Sequence, residues 1–108
     1  MLPKTNRVDK KTIDRIFAGG RFLNSSILTF KYIFTETRPP RISFVAPKNT
    51  AKLAVKRNTL RRRGYDALKK EYSLIPLGVA GVFIFKKYED DCGKIEKEIE
   101  TILSKIVN

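Results

Sequence analysis

A chain of 108 residues with 42% hydrophobic residues, seven Phe and four Tyr among them, has the material for one packed core and is too apolar for wholesale disorder. Its 23 Lys and Arg against 11 Asp and Glu leave a net charge of +12, more than a fold needs, and point to a polyanionic partner. A single cysteine, Cys92, and no histidine exclude an internal disulfide, a thiolate-built metal site and histidine acid–base chemistry.

The opening Met1-Leu2-Pro3-Lys4 leads into charge rather than the apolar stretch of a signal peptide. The longest apolar run, Val79 to Phe85, falls far short of the ~20 residues that span a bilayer. A soluble cytoplasmic protein is expected. Thr12 precedes Ile13, Ile16 and Phe17, whose spacing predicts a short helix ending at Gly19-Gly20. Arg21 to Asn24 predicts a short strand. From Ile27 to Thr35 the period changes to two: Leu28, Phe30, Tyr32 and Phe34 share one face, and Thr29, Lys31, Ile33 and Thr35 the other. Arg38-Pro39-Pro40 marks a turn, and Arg41 to Val45 reads as the next strand and hairpin partner of the previous one.

After Pro47 a long helix is expected from about Ala51 to Tyr72, with Leu53, Leu60, Gly64, Ala67 and Leu68 on its packing stripe. Gly64 costs a helix about 1 kcal/mol relative to Ala, which a close approach to another element would justify. Pro76 and Gly78 mark a loop and Val79 to Phe85 a buried strand. Asp90 or Asp91 caps a last helix with the stripe Ile95, Ile99, Ile102, Leu103 and Ile106. The order αβββαβα predicts an α+β fold, a small α/β sandwich on a mostly antiparallel sheet, forming one domain over residues 1–108.

The charge is concentrated. Between Lys48 and Lys70, nine basic residues face one acid, Asp66, whereas Glu89 to Asn108 is net negative. A solvated helix face normally alternates signs to gain i,i+4 pairs; Arg61-Arg62-Arg63 forgoes them. On the helical wheel Asn58, Arg62 and Lys69 cluster away from the apolar stripe. Guanidinium forks grip phosphates and an amide reads a base edge or sugar hydroxyl, so this face suits nucleic acid. A second basic cluster, Lys4, Arg7, Lys10, Lys11 and Arg15, lies in the N-terminal segment and first helix, with Lys31 on the less apolar strand face. If these surfaces adjoin they form a groove, in which Phe17 either stacks a splayed base or simply belongs to the core.

The run Ala54-Val55-Lys56-Arg57-Asn58-Thr59-Leu60-Arg61-Arg62-Arg63 resembles the signature helix of the protein subunit of bacterial ribonuclease P. Pro3-Lys4-Thr5-Asn6-Arg7-Val8 resembles that family's basic opening, and Ile13, Ile16, Phe17 and Gly20 its first helix and following turn. Arg41 to Lys48 and Val79 to Lys86 sit where the family has its third and last strands, so the resemblance covers essentially the whole chain. Three positions depart from it. Thr59 stands where the family usually has a second Arg, Tyr65 where a further Arg is common, and Pro47 where Ser is usual.

The resemblance implies a four-stranded sheet with three helices, like the second domain of ribosomal protein S5, and a left-handed βαβ crossover through the long helix. It implies removal of the 5′ leader from precursor tRNA, with Mg²⁺ and the hydrolysis belonging to the RNA subunit and no catalytic or metal-binding residue in this chain. The expected partners are the ribonuclease P RNA, one protein per RNA, and the precursor tRNA leader; no membrane or DNA partner is expected. Lys48, Lys52, Arg57, Asn58, Arg61, Arg62 and Arg63 are the candidate contacts to the RNA. Asn6, Arg7, Lys11, Ile13, Phe17 and Lys31 are the candidates for a cleft holding the single-stranded leader, Ile13 at a position often aromatic in the family.

Other classes make distinct demands. A protein-only nuclease needs converging carboxylates, but the densest acids, Glu89, Asp90 and Asp91, sit where they serve a helix cap and dipole. A DNA reader needs a second helix arranged as helix-turn-helix. A ribosomal-type protein that binds structured RNA without a role in tRNA processing remains the alternative.

Overall fold

The computed structural model describes residues 8–35, 40–76 and 78–106. Helix α1 spans Lys10–Gly19. Three strands follow, β1 Arg21–Asn24, β2 Leu28–Phe34 and β3 Arg41–Val45. The long helix α2, Ala54–Glu71, ends in a 3-10 turn at Tyr72–Leu74 and leads to β4, Val79–Phe85, and α3, Cys92–Ser104.

The fold is α+β with a four-stranded mixed sheet in the order β1-β2-β4-β3. Strands β1 and β2 pair antiparallel, as do β2 and β4, whereas β3 runs parallel to β4. The expected hairpin between β2 and β3 is therefore not formed: β4 inserts between them. The inserted strand is the most continuously apolar of the four, with only Ile84 less than fully buried, and it takes a central position for that reason. The parallel β3–β4 pair requires a crossover, and α2 supplies it.

The two faces of the sheet are unequal. Leu28, Phe30, Tyr32, Ile42, Phe44, Phe83 and Phe85 pack under α2 and α3 in the main core. Every member of the predicted α3 stripe is buried there, and Asp91 caps that helix by accepting from the N–H groups of Gly93 and Lys94. On the other face α1 covers a small cluster of Val8, Ile16, Ala80 and Val82, with Ile13, Ile33 and Ile84 at its edge. The α1 cap is Asp9, whose carboxylate accepts from Thr12 N–H at 2.8 Å. Two apolar residues depart from expectation. Phe34 is 40% exposed, and Leu53, just ahead of α2, is 59% exposed. The helix begins at Ala54, so Leu53 precedes the first turn and escapes the packing stripe.

Gly64 does mark a close approach. A Cβ there would lie 2.6 Å from the Phe44 ring, which stacks on Phe83 and meets Tyr65 edge-on. Tyr65, where the family commonly has Arg, is a core residue whose hydroxyl accepts the Phe44 N–H of edge strand β3 at 3.2 Å. Gly64→Ala gains about 1 kcal/mol of helix propensity but overpacks the Phe44 contact by about 1–3 kcal/mol. A net loss is expected, read as a lower urea midpoint with an unchanged slope; a higher midpoint would show that the helix can lift at no cost.

One carboxylate staples α3 to the β1–β2 turn. Glu98 accepts from the hydroxyls of Ser25 and Ser26 and from Ile27 N–H at 2.8 Å. Partial burial pushes its pKa up, but these three donors outweigh it and hold the carboxyl below its ordinary value. A lowered native pKa gives stabilisation that is complete above the ordinary glutamate value and is lost as pH falls through the native one. The melting temperature of the wild type should therefore fall further on acidification from about pH 6 to about pH 3 than that of Glu98→Gln. Parallel curves would show that the staple carries no charge-dependent stability.

Candidate nucleic-acid interface

Pairing partners in a sheet point to the same face, so the register lays out the α1 side strand by strand. One row reads Phe22, Lys31, Val82 and Ser43 across β1, β2, β4 and β3; the next reads Asn24, Thr29, Ile84 and Val45. Helix α1 lies over Ala80 and Val82 on this face, with Ile33 and Ile84 at its edge. Asp9 at its start pairs with Arg41 at 3.7 Å, and Val8 N–H donates to the buried Ser43 hydroxyl at 2.9 Å. What α1 leaves open is a trough bordered by its Phe17.

Phe17 is 47% exposed, and the Lys31 ammonium lies 5.1 Å from the centre of its ring. That contact holds an aromatic face and a cation side by side, and it resolves the Phe17 alternatives in favour of a surface ring. Ile13 is half-buried against the α1 cluster and Lys11 is exposed on the same helix. Asn6 and Arg7 lie outside the described residues. The trough also contains Phe22, 62% exposed, and Val45, 37% exposed, which the sequence reading did not single out. No local signal marked Phe22: only its pairing with Lys31 across the β1–β2 register sets it on that face.

The basic helix lies across the other face of the sheet, so α1 and α2 do not form one groove between them. Both approach the edge strand β3, Asp9 at the α1 cap pairing with Arg41 and Phe44 packing under Gly64 of α2, and the exit of β3 through Ala46 and Pro47 leads to Lys48 and the start of α2. Pro47 opens a tight turn there, its carbonyl accepting from Thr50 N–H at 3.0 Å and Thr50 hydroxyl at 2.6 Å.

The seven candidates on and before α2 divide into two groups. Lys48, Lys52, Asn58, Arg61 and Arg62 are exposed. Arg61 donates to the Asn58 side-chain oxygen, which orients both outward, while Lys48, Lys52 and Arg62 form no side-chain hydrogen bond or ion pair among the described residues. Arg57 and Arg63 are instead engaged within the fold. Arg57 donates through one terminal nitrogen to the carbonyls of Ala51 and Lys52, at 2.9 and 2.8 Å, bracing the turn before the helix. Arg63 reaches the Tyr88 hydroxyl, Glu89 carbonyl and Asp90 carboxylate, at 3.2, 3.2 and 3.1 Å, and so ties α2 to the β4–α3 loop. Thr59, in the place of a family Arg, turns its hydroxyl back to the Val55 carbonyl at 3.0 Å.

The sequence model of the Ribonuclease P family matches residues 2–107. This chain belongs to the ribonuclease P protein family. The ribonuclease P protein component of Borrelia hermsii (strain HS1 / DAH) is 34% identical over 98 residues, covering 91% of this chain and 84% of that protein. Among solved structures, the RNase P protein from Thermotoga maritima superposes with a TM-score of 0.84 at 19% identity, covering 94% of this chain and 98% of the other. The Staphylococcus aureus RNase P protein gives 0.80 at 20% identity, covering 94% of each. At these identities the two structures speak for the fold, and it agrees: three helices on a four-stranded mixed sheet. Membership makes the chain a component of the ribonuclease P endoribonuclease and places it in tRNA processing alongside the ribonuclease P RNA.

Proposed function

We propose that this ribonuclease P protein binds the RNA subunit through the exposed cations of α2 and holds the 5′ leader of precursor tRNA in the trough beside α1. The observation that carries the reading is the uncompensated charge on the solvent side of α2 and the turn before it: Lys48, Lys52, Arg61 and Arg62 are exposed with no acid paired to them among the described residues. Such a surface costs self-repulsion in the free protein, which is offset when its cations neutralise RNA phosphates and the condensed counterions are released to bulk solution. The trough, with Phe17, Phe22 and Lys31, supplies ring faces and a cation, which suit a single strand of varied sequence.

In this reading the protein lowers the Mg²⁺ that the crowded RNA surface demands, and the RNA subunit holds the Mg²⁺ and carries out hydrolysis in the cytoplasm, one protein to each RNA. Among the described residues no three His, Cys, Asp or Glu side chains converge as a metal site, and no step of the proposal runs through a metal held by the protein. No described helix is long and apolar enough to cross a membrane.

Leader release from an end-labelled precursor tRNA at low Mg²⁺ tests the reading. Bacterial ribonuclease P RNA with the protein should outpace the RNA alone, and the protein alone should be silent. Cleavage by the protein alone would assign it chemistry of its own. Tight RNA binding without stimulation by any bacterial ribonuclease P RNA would favour the ribosomal-type alternative. For the trough, Phe17→Ala with Phe22→Ala should weaken binding of precursor tRNA to the holoenzyme by about 10-fold or more, as two stacking faces are removed. Mature tRNA, which lacks the leader, should bind unchanged; an equal loss for both would move the leader elsewhere.

A further inference from the structure

A second concave surface lies at the start of α2, on the far side of the sheet from the trough. Thr50, Ala51, Lys52, Leu53, Lys56 and Tyr88 line a hollow of about 330 Å³, at the small end of the range for ligand sites. We propose that it receives one unstacked nucleobase of the RNA that α2 binds, seated against Leu53 and the Tyr88 ring, with its flanking phosphates on Lys52 and Lys56. The inference rests on the reading of α2 as an RNA-binding surface and adds a base-holding site to it.

Three observations converge. First, Leu53 is 59% exposed and neighbouring Val55 67% exposed, within the most basic stretch of the chain. Apolar surface set among cations suits a ligand that is itself flat, apolar and flanked by negative charge. Second, both walls are already fixed. Arg57 pins the Ala51 and Lys52 carbonyls, and Thr50 is bonded back to Pro47. On the other side Arg63 holds the Tyr88 hydroxyl, and Lys56 and Arg63 lie 5.8 and 5.7 Å from the Tyr88 ring centre. A preformed wall spares the ordering cost of binding, so these two arginines shape the site rather than occupy the RNA directly. Third, the acids nearby are already neutralised: Asp90 pairs with Arg63 at 3.1 Å and Glu89 with Lys94 at 3.7 Å. The hollow thus presents net positive charge to its occupant, which disfavours a purely apolar peptide and favours a nucleotide.

Affinity for bacterial ribonuclease P RNA, measured across salt concentrations, separates the contributions. Leu53→Ser should weaken binding by roughly 10-fold with an unchanged salt slope, because a stacking surface is lost and no charge is removed. Lys56→Gln should flatten the slope by about one. Base-specific chemical probing of the RNA, with reagents for all four bases, gives the direct readout. One base shielded in the wild-type complex should become reactive in the saturated Leu53→Ser complex while the remaining footprint persists. Leu53 is exposed and holds the N-cap position of α2, where Ser is a preferred residue, so the variant should melt at or above the wild type, which a thermal scan checks. Equal affinity and identical base reactivities for Leu53→Ser, with Arg61→Ala/Arg62→Ala still weakened, would overturn the base-holding site and leave the RNA-binding reading intact. Failure of the wild type itself to bind the RNA would overturn that reading first.

Discussion

Arg61→Ala/Arg62→Ala should bind bacterial ribonuclease P RNA roughly 10- to 30-fold more weakly at physiological salt, and the slope of log affinity against log salt should flatten by about two. The expectation follows from where these side chains stand. Both are exposed on α2, Arg61 oriented by Asn58 and Arg62 without an internal partner among the described residues. Each cation that neutralises a phosphate releases condensed counterions, so its removal registers in the salt dependence as well as in affinity. Stability should hardly move, because neither guanidinium is buried or paired with an acid. Two comparisons sharpen the result. Lys97→Ala, on the exposed side of α3, should leave affinity and slope as they are. Arg63→Ala should destabilise the protein by releasing the β4–α3 loop, since that side chain holds Tyr88, Glu89 and Asp90. A double variant whose slope parallels the wild type would remove both residues from the interface.

Phe44→Ala should cost about 3–5 kcal/mol, a large part of the ~5–15 kcal/mol that holds a domain together. Its ring is 4% exposed, stacks on Phe83 with centroids 5.0 Å apart, meets Tyr65 at 4.9 Å and fills the notch at Gly64. The contact is what seats α2 on the sheet, so it sets the height at which the basic face is presented. A cycle with Gly64→Ala tests the geometry as well as the magnitude. In the wild-type background the added methyl collides with the ring and destabilises; in the Phe44→Ala background it enters vacated space and should stabilise. The coupling is expected to be favourable by about 1–3 kcal/mol in chemical denaturation. Additive effects would mean that the helix is not registered by this contact.

The two experiments divide the molecule along the line that separates a legible sequence from a necessary structure. Periodicity identified β2 and the α3 stripe, because a half-buried element writes its period into the chain, while β4 showed as an apolar run. Concentrated charge between Lys48 and Lys70 located the basic helix, since no packing requirement produces such a run. Gly64 announced a close approach without naming what approached. The β2–β3 hairpin failed because strand pairing is a long-range choice, and β4, more apolar than either neighbour, takes the place between them.

The candidate contacts follow the same division. Arg57, Arg61, Arg62 and Arg63 are chemically alike on paper, and no local rule tells which of them the fold will use. Arg57 turns back to the Ala51 and Lys52 carbonyls and Arg63 crosses to the β4–α3 loop, while Arg61 and Arg62 remain outside. Phe22 and Val45 enter the trough only because the register sets them on the same face as Lys31 and Ile84. By itself, then, the sequence determined most of the elements and the helix on which positive charge is concentrated, since periodicity and charge density are local. Tertiary structure alone decided that Arg63 is engaged and which aromatic rings line the trough, because both depend on contacts between residues far apart in the chain, whereas Arg57 is taken by carbonyls close to it in sequence.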